Sequence, residues 1–415
     1  MIGIKNIMGK KPHKISVGYP LIGMEEYRAV TSAIRQKRLS AGKNVKDFEE
    51  MYAKRLGRRY GIAVNSGSSA NLISIFAMKE KFGWKDGNSF FVPALTFPTA
   101  VAPIIQAGFR PIFVDVDEDG NMSYSALLKA HRETARPKNI IGLVLVHSLG
   151  VPARDTKKII TFCKKNGLEV LEDACESHGA AIENKEVGSF GFISTTSFFV
   201  AHNMTTGEGG MVFTDDPQTW TILRSLREFG RRIDDQAQQR WLDHGGNLGH
   251  YDLRYCFDRL GFNVRMTDLA AAIGIEQLKK LDQMNQRRRA LVSIITKGLS
   301  PLTKRGLVVF SSSKGRYNTY YAFQFRVKDK QIRKELAATL ESNGVETRPF
   351  MGGNLLKQKA FEKYGAHEKF PKATELHETS LFVGCHPTLT HNDAKKIVSI
   401  IKNWFRKNGA PRASP

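Results

Sequence analysis

Residues 168–180 read LEVLEDACESHGA, an apolar run that closes on Glu172 and Asp173 and then breaks into small and polar residues. A short run of this kind, bounded by turn formers, has the form of a buried strand. Its carboxylates stand at the strand's C-terminal end, where open α/β sheets bind their ligands. Outward from it, further β-rich runs lie at 61–64, 90–93, 111–116, 140–146, 194–200 and 210–214, and helical patterns at 69–82, 100–107 and 155–166 fall between them. This alternation is the rhythm of βαβ units, and strands with few polar residues fit a sheet covered on both faces. The expectation is a three-layer α/β/α domain built on a mostly parallel sheet.

Residues 216–290 read as helices around a polar, Gly-rich stretch at 244–251, ending in a helical pattern at 267–284 with Leu269, Ile273, Ile275 and Leu278 near one face. After Arg289 the texture changes to a strand pair at 307–312 and 319–327 and helices at 331–343 and 392–406. The last helix spaces Ile397, Val398, Ile400, Ile401, Trp404 and Phe405 for one buried face. Two domains are expected, a large one at 15–290 and a smaller C-terminal α+β domain at 291–408, with loosely structured ends at 1–14 and 409–415.

The chain has 415 residues, 41% of them hydrophobic, and 63 Lys+Arg against 40 Asp+Glu, a net charge of +23. That content suits a folded core and argues against disorder. No apolar run is long enough for a membrane span or secretory signal, so a soluble, cytoplasmic protein is expected. The basic residues are scattered as pairs and one triple, Arg287–Arg289, which reads as solvated surface or as support for anionic small molecules rather than a nucleic-acid site. Four dispersed cysteines, Cys163, Cys175, Cys256 and Cys385, form no CxC or CxxC pair, which disfavours a disulfide framework and a metal cluster.

Three segments carry candidate chemistry. Asn65-Ser66-Gly67-Ser68-Ser69-Ala70-Asn71 sits between a strand and a helix, where converging amides and the helix N-terminus suit a phosphate, although a plain helix cap reads the same way. Asp173 suits the pyridinium nitrogen of pyridoxal phosphate, its alternative being an acidic helix cap. His202, in the run Ser197 to Gly210, lies among small and polar residues after a strand and faces either a pocket or the core.

Together with Val92-Pro93-Ala94-Leu95-Thr96-Phe97-Pro98-Thr99-Ala100, Gly261-Phe262-Asn263-Val264-Arg265-Met266-Thr267-Asp268 and Glu346-Thr347-Arg348-Pro349, these segments resemble the nucleotide-sugar aminotransferase family of fold-type I pyridoxal-phosphate enzymes, the DegT/DnrJ/EryC/StrS family, over residues 15–405. The resemblance implies the aspartate-aminotransferase-like fold. It implies that Gly67, Ser68, Ser69 and Ser197 hold the cofactor phosphate, that Phe97 stacks on the pyridine and that Asp173 pairs with its nitrogen. Asn263 would reach the cofactor of the other subunit in a homodimer with shared active sites. Glu176 stands where many members carry Gln, near the cofactor's 3-oxygen, and His178 reads as a packing histidine.

One departure bears on the reaction. The family's aminotransferases place a lysine five residues after the serine matched by Ser197, and that lysine binds the cofactor covalently; here the position is His202. Imidazole forms no stable imine, so the histidine is expected to act as acid and base on a noncovalent pyridoxamine phosphate. This substitution, with a T-R-x-x-x-x-G-N pattern at 347–354, resembles the family's 3-dehydratases of nucleotide-linked 4-keto-6-deoxyhexoses. By that resemblance Arg348 and Asn354 face substrate. The stretch 230–255 lacks the cysteines of the iron–sulfur branch, which implies the cluster-free, glutamate-dependent type acting on GDP-4-keto-6-deoxymannose without a reductase. The rivals are a 4-aminotransferase with another base and a catalytically silent sugar-nucleotide-binding member.

Overall fold

A computed structural model of the chain describes residues 14–37, 39–233, 255–311 and 315–408. The expected stretch at 244–251 and, apart from Lys14, both tails lie outside the described residues.

Two helices, α1 (Met24–Arg35) and α2 (Lys43–Leu56), lead into the main unit. There β1 (Tyr60–Val64), α3 (Gly67–Phe82), β2 (Ser89–Pro93), α4 (Ala102–Gln106), β3 (Arg110–Val114), α5 (Tyr124–Glu133), β4 (Ile140–Val146), α6 (Thr156–Lys165) and β5 (Glu169–Asp173) follow in turn. A small hairpin of β6 (Ala181–Ile182) and β7 (Lys185–Glu186) precedes β8 (Ile193–Ser197), β9 (Gly210–Thr214) and α7 (Pro217–Arg227). Seven strands form one sheet in the order β1-β9-β8-β5-β4-β2-β3, and β9 alone runs against its neighbours.

Strand alternation explains the layering. Phe90, Val92, Val144, Val146 and Leu171 point into a core shared with Ala70, Ile73 and Ala77 of α3 and Ile222 and Leu226 of α7. Their sequence neighbours Phe91, Leu143, Leu145 and Val170 point the other way, against Leu127 of α5 and Ile159 and Phe162 of α6. Period-two side chains on doubly covered strands give this arrangement, which is why these strands read as almost wholly apolar.

The helical pattern at 267–284 belongs to a much longer helix, α8 (Asp268–Lys304), of 37 residues and thus about 55 Å at 1.5 Å per residue. It passes straight through residue 290. Its first half places Leu278, Leu281 and Met284 in a core with Phe48 and Tyr52 of α2. Its second half places Leu291, Val292, Ile295 and Leu299 in a separate core with the C-terminal elements. Those elements are β10 (Arg316–Tyr317), which pairs with β6, then β11 (Ala322–Arg326), α9 (Lys330–Ser342), β12 (Thr347–Pro349), α10 (Pro371–Thr379), β13 (Ser380–Gly384) and α11 (His391–Lys407). The antiparallel sheet β11-β13-β12 backs onto α11, whose Ile397, Ile401, Trp404 and Phe405 are buried and whose first turn is closed by a Thr390–Asp393 capping box. Ile15 bridges to Val345 and is buried in this C-terminal core.

Three local expectations change. The strand at 307–312 reduces to one antiparallel bridge, Val309 to Arg326, with residue 312 outside the described set. The strand at 194–200 stops at Ser197, where the chain enters a turn that carries His202. The pattern at 100–107 is a 3-10 turn, Pro98–Ala100, followed by α4. Among the described residues no helix is long and apolar enough to cross a membrane.

Candidate cofactor and catalytic site

Ser66 caps α3 by accepting the Ser69 amide at 3.1 Å, so the helix starts at Gly67, two residues earlier than the sequence pattern suggests. Gly67 and Ser68 are then its first two residues, and helix geometry gives their amides no intrahelical acceptor. The chain passes very close to β8 here: a Cβ on Gly67 would lie 2.5 Å from Ser197 Cβ and 3.0 Å from Cys175 Sγ. Glycine is required by this approach, and the free amides at the helix start beside Ser69 and Ser197 have the chemistry to hold an anion.

Asp173 closes β5 and is buried. Asn71, one helical turn beyond Gly67, donates to Asp173 Oδ2 at 2.8 Å, and the Cys175 amide donates to Oδ1 at 3.0 Å. Asn71 is itself fixed, accepting from Thr195 Oγ1 at 2.7 Å and donating to the Thr99 carbonyl at 3.2 Å. A carboxylate offers about four acceptor positions, so Asp173 keeps capacity for a charged N–H. The Thr99 contact also anchors the loop carrying Phe97, whose ring is 52% exposed although it is flanked by the buried Thr96 and Ala100.

His202 sits in the turn after β8. Its amide donates to the Phe199 carbonyl at 2.9 Å, and its Nδ1 lies 2.9 Å from the Ser197 carbonyl. A carbonyl only accepts, so Nδ1 carries the proton and Nε2 keeps its lone pair. Burial is the main cause of a pKa lowered to about 4, with the Arg288 charge adding to it and the Ser197 bond and Asp173 opposing it. The ring is therefore a neutral base near pH 7. Tyr321 stands edge-on to it, ring centroids 5.3 Å apart, and Phe199 lies on another side at 5.9 Å.

The remaining sequence candidates divide. Glu176 is half-buried and accepts the Leu149 amide at 2.7 Å; burial, reinforced by Asp173, raises its pKa to about 7 against that bond. His178 is the packing histidine expected: Tyr52 Oη lies 2.7 Å from its Nδ1, and its Nε2 donates to the Ser197 carbonyl at 2.7 Å. Asn263 is exposed, and its Oδ1 accepts from Arg265 Nε at 3.3 Å. Arg348 is exposed and pairs with Glu346; it stands directly across from Phe382, whose ring abuts that of Tyr321 at 6.1 Å.

Asn354 is a correction. It is fully buried, its Nδ2 donates to Thr374 Oγ1 at 2.9 Å, and its Oδ1 accepts the Leu356 amide at 3.1 Å. Its amide is consumed in capping a 3-10 turn, so it does not face substrate.

Two features escaped the sequence reading. Asn71 was within reach, because its i+4 spacing from Gly67 puts it on the same helix face. The triple Arg287–Arg289 reads in the sequence as solvated surface or as support for anionic small molecules, yet Arg288 is 1% exposed while Arg287 is exposed and Arg289 half-buried. The stripe Leu281, Met284, Arg288, Val292, Ile295 carries its phase.

The cradle whose space a single Cβ would fill, the braced carboxylate at its floor and the open aromatic beside it fit a phosphorylated pyridine. Fold and site together define a pyridoxal-phosphate enzyme of the aminotransferase fold. The chain belongs to the DegT/DnrJ/EryC1/StrS aminotransferase family, whose model matches residues 20–402. It is similar to a GDP-4-keto-6-deoxy-D-mannose 3-dehydratase from Escherichia coli O55:H7, at 31% identity over 93% of this chain and 100% of that protein. It is also similar to a dTDP-4-dehydro-2,6-dideoxy-D-glucose 3-dehydratase from Saccharopolyspora spinosa, at 31% identity over 92% of this chain and 84% of that protein. A crystal structure of GDP-4-keto-6-deoxymannose-3-dehydratase with a trapped PLP-glutamate geminal diamine matches with a TM-score of 0.81 and 29% identity, covering 92% of this chain and 99% of that one. The family thus holds nucleotide-sugar enzymes of both kinds, aminotransferases and 3-dehydratases.

Proposed function

We propose that the chain is a cytoplasmic, homodimeric hydro-lyase that removes the C3 hydroxyl of a nucleotide-linked 4-keto-6-deoxyhexose, with GDP-4-keto-6-deoxymannose as substrate and L-glutamate as amino donor. The observation that carries this reading is the geometry of His202, which by the sequence resemblance takes the place of the aminotransferases' lysine: its Nδ1 proton is committed to the Ser197 carbonyl, leaving Nε2 to accept. Relatives named as 3-dehydratases support the substrate class.

When bound, pyridoxamine phosphate supplies an amine for the 4-keto group and a ring that takes up electrons. The chain's residues do the rest. Gly67, Ser68, Ser69 and Ser197 would hold the phosphate, and Asp173, braced by Asn71, would keep the ring nitrogen protonated. His202 Nε2 accepts a proton from carbon and passes it to the departing C3 hydroxyl, a transfer that suits a group neutral at the working pH. Glu176, its pKa raised to about 7 mainly by burial, would carry a proton for part of the time around neutrality, and the family resemblance sets it toward the cofactor's 3-oxygen. Arg348 meets the substrate anion. Asn263 serves the partner's cofactor, a role supported by its exposure on a surface that also leaves Leu260 96% exposed. Four free cysteines, with Cys256 alone near the 230–255 stretch, support operation without an iron–sulfur cluster or reductase.

Incubation with cofactor, glutamate and GDP-4-keto-6-deoxymannose is expected to give a sugar nucleotide one oxygen lighter, with 2-oxoglutarate and ammonia in equal amounts. A stable 4-amino sugar retaining its C3 hydroxyl would identify an aminotransferase instead. Absence of any glutamate-dependent change in cofactor absorbance would identify a silent binding protein. The His202→Asn variant should retain cofactor while losing elimination by at least about 100-fold.

A further inference from the structure

Arg288 lies at the middle of α8 with 1% of its surface exposed, and among the described residues no carboxylate pairs with it. A buried guanidinium is costly unless its donors are satisfied; here both Nη groups are spent on backbone carbonyls, while the buried Nε has no hydrogen-bond partner among the described residues. Nη1 donates to the carbonyls of Tyr321 at 2.8 Å and Tyr320 at 3.3 Å, and Nη2 donates to the carbonyl of His202 at 3.1 Å. One side chain thus grips the base-bearing turn after β8 and the segment that sets Tyr321 edge-on to the imidazole. The cation has no carboxylate partner among the described residues, and the Cys385 thiol and the Tyr321 phenol are further polar neighbours.

Several groups face His202 from the elements around it. The Ser197 carbonyl from β8 accepts from both His202 Nδ1 and His178 Nε2. Asp173 and His178 approach from the end of β5, with Tyr52 and Arg55 behind His178; Tyr321 faces it from the C-terminal side, with Glu176 beyond. Of the charged groups, Arg288 is the one that also bonds the histidine's own backbone.

We infer that Arg288 is a positioning residue for His202: its guanidinium clamps the His202 turn to the Tyr320–Tyr321 segment and keeps a fixed positive charge behind the imidazole. Burial keeps the ring neutral, the Arg288 charge adds to that effect by disfavouring a second proton, and the clamp fixes where Nε2 points. The catalytic consequence rests on the dehydratase reading; the effect on the imidazole does not.

Ring-nitrogen NMR of histidine-labelled, cofactor-free protein tests it, with His202→Asn used for assignment. In the unaltered protein His202 should appear as the Nδ1–H tautomer and remain neutral below pH 6. Arg288→Gln, which keeps hydrogen bonding but removes charge, should raise the His202 midpoint by about one unit, whereas Arg288→Lys should leave it nearly unmoved. In loaded enzyme Arg288→Gln should lose kcat by about 100-fold with little change in KM. An ordinary His202 midpoint in the unaltered protein would overturn the inference even if the variant failed to fold, as would an unshifted midpoint in folded Arg288→Gln. A shifted midpoint in an enzyme that proves to be an aminotransferase would uphold Arg288 and overturn only the reaction.

Discussion

Gly67 shows how much one missing carbon can decide. Replacing it with alanine would drive a Cβ to 2.5 Å from Ser197 Cβ and 3.0 Å from Cys175 Sγ, and a Cβ anchored on the strand β8 cannot easily retreat. We expect Gly67→Ala to cost about 1–3 kcal/mol in stability and to loosen the cofactor, checked by thermal melting and by cofactor absorbance surviving dialysis. Gly67, Asp173, Ser197 and His202 were legible in the sequence because each lies in a short local segment whose order and spacing are themselves the signal. Asn354 misled because sequence adjacency to Gly353 says nothing of orientation: its amide points inward, to Thr374. Arg288 was hidden for the opposite reason. Composition sees three arginines in a row, and only the phase of the helix turns the middle one into the core.

Among elements, the short 3-10 turn Ser148–Gly150 after β4 links the two lobes. Gly150 has φ +77°, and a Cβ there would meet Tyr320 N at 2.4 Å and Tyr321 N at 2.6 Å. Neighbouring Leu149 also holds a positive φ of 53° while its amide bonds Glu176. Gly150→Ala should therefore push the Tyr320–Tyr321 segment away from His202, costing about 1–3 kcal/mol and lowering kcat more than KM in steady-state assays. Strands of the central sheet were readable because burial on both faces writes an unbroken apolar run. The bridge at Val309 was over-read as a strand because Leu307 and Val308 are apolar for another purpose, packing in the C-terminal core.

For the whole molecule, buried histidines set the response to acid. Burial lowers the pKa of His178 and His386 to about 3 and of His202 to about 4. The unfolded chain, with ordinary values near 6.5, therefore binds more protons between those limits, and the stability these groups contribute is complete above about pH 6.5 and lost as pH falls. Glu176, raised to about 7, and Asp117, raised to about 6, mainly by burial, act in the opposite sense, so their contribution fades as pH rises. The three histidine shifts are the larger set. The cofactor-free protein should melt on the order of 5 °C lower at pH 5 than at pH 7.5. The His386 ring nitrogens meet Ser16 and Thr388 and bond none of the cradle residues, so His386→Asn should flatten that slope.

Helix α8 has a consequence for cooperativity. Its N-terminal half is built into the core beneath the cofactor pocket and its C-terminal half into the other lobe, with Arg288 at the join. Because both cores are built on this one helix and Arg288 ties its middle to the His202 turn, the two lobes should open as one unit in native-state hydrogen exchange. A destabilising change deep in the C-terminal core, such as Ile397→Ala, would then show itself first as an enzyme that lets go of its cofactor.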